Sequence, residues 1–130
     1  MKKKILVVED DRHQPILLEM ELTRIGYDVI CVPGGREAVE KVATEPIDLV
    51  VLDIGMPDMD GLAAMQKILD VDRKLPVVIN TAYPSFKDDF HSWSADAYVV
   101  KSGDLTELFS EIETALSRRQ SDEDAGDEGA

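Results

Sequence analysis

Five short apolar runs alternate along the chain with longer stretches whose apolar residues recur every three or four positions. The runs fall at 4–8, 27–32, 49–52, 77–79 and 97–100. They are short, rich in valine and isoleucine, and almost free of charge, which is the pattern of strands buried on both faces in a parallel sheet. Between them, Leu18, Leu22 and Ile25 mark one face of a first helix. Pro15 predicts that its first turn is irregular or starts late, and Gly26 is its expected stop. Ala38, Val39 and Val42 mark a second helix, closed before Pro46, and Leu62, Met65, Ile68 and Leu69 a third. A short helix is expected from about 85 to 92, with Phe86, Phe90 and Trp93 on one side. Leu105, Leu108, Ile112 and Leu116 form the inner face of the last helix, and Asp104 with Glu107 reads as its capping pair.

Strand and helix thus alternate five times. Right-handed crossovers then give an α/β fold, a doubly wound five-stranded parallel sheet covered on both faces. The favoured strand order is 2-1-3-4-5, the flavodoxin-like three-layer sandwich, with its switch point between strands 1 and 3. No internal repeat or second domain is visible. Residues 1–119 are the expected domain. From 120 to 130 the chain carries five acids, no base and no large apolar group, too little apolar surface for order.

Charge narrows the partners. The net charge is −13, of which the tail supplies −5. Such a surface disfavours direct contact with nucleic acid or with an anionic membrane. No signal peptide is visible after Lys2-Lys3-Lys4, and no run reaches the length needed to span a bilayer. The single Cys31 excludes an internal disulfide and fits a reducing, cytoplasmic setting.

The chemistry gathers at strand ends. Glu9 and Asp10 follow the first strand and Asp53 ends the third, so the predicted order brings three carboxylates into one cleft. Three acids repel one another unless a cation sits among them. All-oxygen ligands favour a hard ion, Mg²⁺ or alternatively Mn²⁺. The ends of strands 4 and 5 add the Thr81 hydroxyl and the Lys101 ammonium. A metal, a hydroxyl and a lysine around a carboxylate suit phosphoryl transfer onto that carboxylate, with Asp53 as nucleophile. Asp11 reads as a helix N-cap rather than a ligand.

These residues carry a family resemblance. The stretch ILVVEDD with Glu9 and Asp10, DIGMPDMDG beginning at Asp53, Thr81-Ala82, and Tyr98 through Lys101 resemble the receiver domain of two-component response regulators over about residues 2–119. The resemblance implies Mg²⁺-dependent phosphorylation of Asp53 by a sensor histidine kinase or phosphotransfer protein. It implies a metal held by Asp10, Asp53 and the Gly55 backbone carbonyl, with Glu9 contributing directly or through water. Thr81 and Lys101 would contact the phosphoryl group, and Tyr98 would be the switch aromatic that turns inward as Thr81 moves. The face built from the helix at 85–92, strand 5 and the last helix would then control a separate downstream effector. Such a domain is not an enzyme beyond its own phosphorylation and dephosphorylation.

Three positions depart from the family pattern. Ser102 stands where a proline usually follows the lysine, predicting a trans peptide there. Asn80 is polar where receivers commonly have an apolar or small residue. Gly55 has no side chain at a position that tunes phosphoryl lifetime. Two other readings stay open: an interaction module that works without phosphorylation, and an aspartyl phosphohydrolase, the latter disfavoured because Gly55 stands where its second acid would be.

Overall fold

The structure, a computed structural model, describes residues 2–9, 14–54, 61–82, 95–102 and 104–129, with side chains for all of these except 14, 15 and 120–129. The expectations for Asp10, Asp11, Gly55 and the short helix carrying Phe86, Phe90 and Trp93 lie outside these residues.

The elements run β1 (Lys4–Val8), α1 (Gln14–Arg24), β2 (Asp28–Val32), α2 (Gly35–Thr44), β3 (Leu49–Leu52), α3 (Gly61–Val71), β4 (Val77–Thr81), β5 (Ala97–Val100) and α4 (Thr106–Gly129). The strands form one sheet in the order β2-β1-β3-β4-β5, with every adjacent pair parallel. This is the predicted flavodoxin-like order.

Alternation along the strands splits the core in two. Leu6, Val8, Val50, Leu52 and Val77 pack against α2 and α3 through Ala38, Val42, Ala64, Met65 and Ile68. Ile5, Val7, Val51, Val78 and Val99 pack on the other side against Leu18 and Leu22 of α1 and Leu108 and Ile112 of α4. Burying each such side chain contributes roughly 1.5–3 kcal/mol.

Local chemistry sets the ends of the elements. Helix α1 begins at Gln14 with Pro15 in its first turn, where the missing N–H forfeits no helical bond. It ends at Gly26, φ +110°. The Gly26 N–H donates to Thr23 O at 3.1 Å and the Tyr27 N–H to Leu22 O at 3.0 Å, the paired bonds of a Schellman close. At the opposite edge of the sheet from the candidate site, two aspartates that precede strands clamp their neighbours. Asp48 accepts the Lys4 N–H at 2.8 Å, and Asp96 accepts the Val77 N–H at 2.9 Å.

Helix α4 continues to Gly129, where composition predicted no order. Among the described side chains, Leu116 is the last of the helix in the core. Beyond it the backbone extends a helix already nucleated, and propagation costs far less than nucleation.

Candidate functional site at the carboxyl edge of the sheet

The site residues stand one position past the strand ends, and the ladder itself holds them there. The Asp53 N–H donates to Val8 O at 3.1 Å and the Glu9 N–H to Val32 O at 3.1 Å. The Lys101 N–H donates to Thr81 O at 2.8 Å. The backbone at Glu9, Asp53 and Lys101 is therefore as fixed as the sheet. Their side chains share the α1/α4 face, since each lies two positions beyond Val7, Val51 or Val99 of that core.

Glu9 and Asp53 are both 8% exposed. Burying two carboxylates is costly unless they are paired. Lys101 supplies the pairing. Its Nζ donates to Asp53 Oδ2 at 2.9 Å and to Glu9 Oε2 in a short contact. Burial is the largest single influence on Lys101 and pushes its pKa down, but the two carboxylates together outweigh it and hold the pKa above the ordinary lysine value. One ammonium thus relieves the repulsion for which the sequence suggested a metal ion.

Thr81 is fully buried at the end of β4, and Tyr98 is 4% exposed on β5. Tyr98 lies beside Ile79 in the register, so it shares a face with Thr81, two residues on. The structure brings Glu9, Asp53 and Lys101 into contact and places Thr81 on the next strand, joined to Lys101 through the backbone.

Two features escaped the sequence. A Cβ added at Gly61 would collide with the Ile54 Cα and come within 3.0 Å of Asp53 O. The start of α3 therefore presses directly on the chain just after Asp53, and only glycine permits that approach. The signal was present as the last residue of the DIGMPDMDG stretch. The second is the turn behind Lys101. No cis peptide occurs among the described residues, so Lys101–Ser102 is trans, as expected without proline. The Ser102 hydroxyl accepts the Asp104 N–H and donates to Asp104 O, both at 3.0 Å. Asp104 in turn accepts the Thr106 N–H at 2.9 Å and its hydroxyl at 2.6 Å, capping α4. Those bonds hold the Asp104 carboxyl below its ordinary pKa. The expected capping pair with Glu107 is realised through Thr106 instead.

A cleft of about 320 Å³ adjoins the triad, with Glu9, Asp53, Asn80 and Lys101 on its polar side and Leu17 and Leu105 among its apolar walls. Among the described residues no group of three metal-binding side chains occurs. Glu9 and Asp53 provide two converging hard oxygen donors, which fit Mg²⁺ chemistry. Asp10 and Gly55, the other expected ligands, lie outside the described residues. Cys31 is set apart from this site. Burial, helped by the Glu19 carboxylate 3.7 Å away, pushes its thiol up to about 12, which makes it inert.

A parallel sheet of this order, with a lysine bridging two buried carboxylates at its switch point, defines a receiver-type α/β domain. Residues 5–113 match the response regulator receiver domain, and the chain belongs to that family. The response regulator MprA of Mycolicibacterium vanbaalenii is 35% identical over 132 residues, covering 100% of this chain and 57% of that protein. A crystal structure of the response regulator TrrA from Thermotoga maritima in complex with Mg²⁺-BeF superposes with a TM-score of 0.82 at 37% identity, covering 87% of this chain and 98% of that one. A complex of the histidine kinase ThkA with TrrA contains a chain that matches at a TM-score of 0.81 and 38% identity, covering 88% of this chain and 98% of that one. The chain spans only 27–57% of the length of the first curated relatives it matches. No helix among the described residues is long and apolar enough to cross a membrane.

Proposed function

We propose that this domain is a phosphoacceptor of a two-component or phosphorelay system, with Asp53 as the acceptor. The observation that carries the proposal is the partly buried Lys101 ammonium bonded to both Glu9 and Asp53. A sensor histidine kinase or phosphotransfer protein is the donor; the ThkA–TrrA complex supports a kinase as partner. In the transfer, an Asp53 oxygen bonds to phosphorus as the bond from phosphorus to the donor's imidazole nitrogen breaks. The electron pair stays on that nitrogen. Lys101 is already 2.9 Å from Asp53 Oδ2 and neutralises charge on the incoming group. Thr81, next to it in the ladder, offers its hydroxyl.

Mg²⁺, or Mn²⁺ as the alternative hard ion, would be held by Glu9, Asp10, Asp53 and the Gly55 carbonyl. When bound it supplies charge neutralisation at the phosphoryl oxygens. The Mg²⁺-BeF complex of TrrA supports this assignment.

Phosphorylation adds about −2 in charge. It draws Thr81 and Lys101 toward the phosphoryl group, and Tyr98 follows as the switch aromatic. The face of β5 and α4 shifts population and controls a separate effector protein. The domain acts in the cytoplasm as a signalling module rather than a turnover enzyme, without direct contact to nucleic acid. Its working unit is 1–119, with 120–130 as an acidic tail.

NMR titration with Mg²⁺ and beryllofluoride tests the reading. Amide shifts at Asp53, Thr81 and Lys101, spreading along β5 and α4 and absent in Asp53→Asn, are expected. A wild-type spectrum unchanged by both additions overturns it.

A further inference from the structure

Asn80 stands on β4 immediately before Thr81. Leu52 is paired with Ile79, so the next step along both strands sets Asp53 beside Asn80. Adjacent strands lie about 4.8 Å apart. Val51 is paired with Val78 in the core on the α1/α4 side, so Asp53 and Asn80, two residues further on, both face that side. Asn80 lines the same cleft as Glu9, Asp53 and Lys101. Asparagine and aspartate side chains are equal in length. Neighbouring positions on one face put the Asn80 amide within reach of the Asp53 carboxyl. Lys101, two residues past Asn80's other neighbour Val99, reaches the far end of that carboxyl.

Asn80 is half-buried in the wall of the cleft.

We propose that Asn80 sets the lifetime of the phosphoryl group on Asp53, its Nδ2–H donating to the Asp53 carboxyl as that group departs. The proposal rests on Asp53 being the phosphoacceptor. In the hydrolysis, a water oxygen bonds to phosphorus and the bond from phosphorus to the Asp53 oxygen breaks. The electron pair stays on Asp53, and the water's proton passes to solvent, leaving inorganic phosphate and the carboxylate. Negative charge grows on the Asp53 carboxyl during this step, so a donor beside it is worth more in the transition state than in the phosphorylated ground state. A carboxyl oxygen accepts more than one hydrogen bond, so the donor displaces neither Lys101 nor another partner.

The test loads the full chain with acetyl phosphate and Mg²⁺, removes the donor, and follows loss of the phosphoryl group by intact mass. Asn80→Val, which keeps strand propensity and removes the amide, is expected to lengthen the half-life about five- to tenfold, the size carried by one ordinary hydrogen bond. Asn80→Ala carries the same expectation should the valine variant fail to fold. Asn80→Gln, which keeps the amide, is expected to restore most of the wild-type rate; a purely structural role would not be rescued in this way. Variants that label but decay at the wild-type rate or faster overturn the role of Asn80 alone. A wild-type chain that takes up no phosphoryl group overturns the phosphoacceptor reading together with it.

Discussion

Replacing Lys101 with methionine keeps the length of the side chain and removes the charge that separates Glu9 from Asp53. Both carboxylates touch one nitrogen, so their facing oxygens lie no more than about 5 Å apart. Two unit charges at about 5 Å repel by about 3 kcal/mol at an effective dielectric of about 20. Removing one member of a buried ionic set typically costs about 3–5 kcal/mol. The Lys101→Met domain, free of divalent ions at pH 7.5, is therefore expected to be about 3 kcal/mol less stable than wild type. With a urea slope near 2 kcal/mol/M the midpoint falls by about 1.5 M. The pH dependence has a definite sign. Lys101 has a raised pKa when folded, so its contribution is complete below the ordinary lysine value of 10.5 and is lost only at more alkaline pH. Wild type thus loses nothing through this residue between pH 6 and 9. In the variant the folded state binds a proton that relieves the repulsion, so its stability rises as pH falls. Millimolar Mg²⁺ is expected to return much of the lost stability. Urea melts of both proteins at several pH values, with and without Mg²⁺, make the comparison. A variant as stable as wild type at pH 7.5, with no gain on acidification, would refute the ion bridge.

Gly61→Ala forces the chain after Asp53 away from the start of α3, because the new methyl would overlap Ile54. A loss of about 2–4 kcal/mol and a large fall in Mg²⁺ affinity are expected, read by urea melts and metal titration; wild-type values in both would contradict the packing. Asp96→Ala leaves the N–H of the fully buried Val77 without its carboxylate, costing about 1–3 kcal/mol, while Asp96→Asn should recover part of it. The Cys31 thiol, held near 12, should react with iodoacetamide at pH 8 at least about 100-fold more slowly in the native protein than in urea. Equal rates in the two states would exclude a suppressed thiolate.

What was legible in the chain follows from periodicity. The valine and isoleucine runs identified all five strands, and alternation with amphipathic segments implied their order, which in turn gathered Glu9, Asp53 and Lys101. The Lys101 bridge was less legible because it joins residues 92 positions apart. The predicted order already placed Lys101 near the acids, but only the folded sheet shows its ammonium bonded directly to both Glu9 and Asp53. The pressure of Gly61 on Ile54 is a contact between an element and the loop before it, which no spacing rule encodes. Asp48 and Asp96 carried a faint signal, an acid directly before a strand. The helical backbone from 120 to 129 ran against composition because composition weighs burial and ignores the low cost of extending an existing helix.

The central claim is that Asp53 accepts a phosphoryl group, and intact-mass analysis after incubation with acetyl phosphate tests it most directly. The wild-type chain with Mg²⁺ is expected to gain one phosphoryl group. Asp53→Asn with Mg²⁺, and wild type with chelator, are expected to gain none. Labelling that persists in Asp53→Asn, or that is indifferent to Mg²⁺, would contradict the assignment of the site.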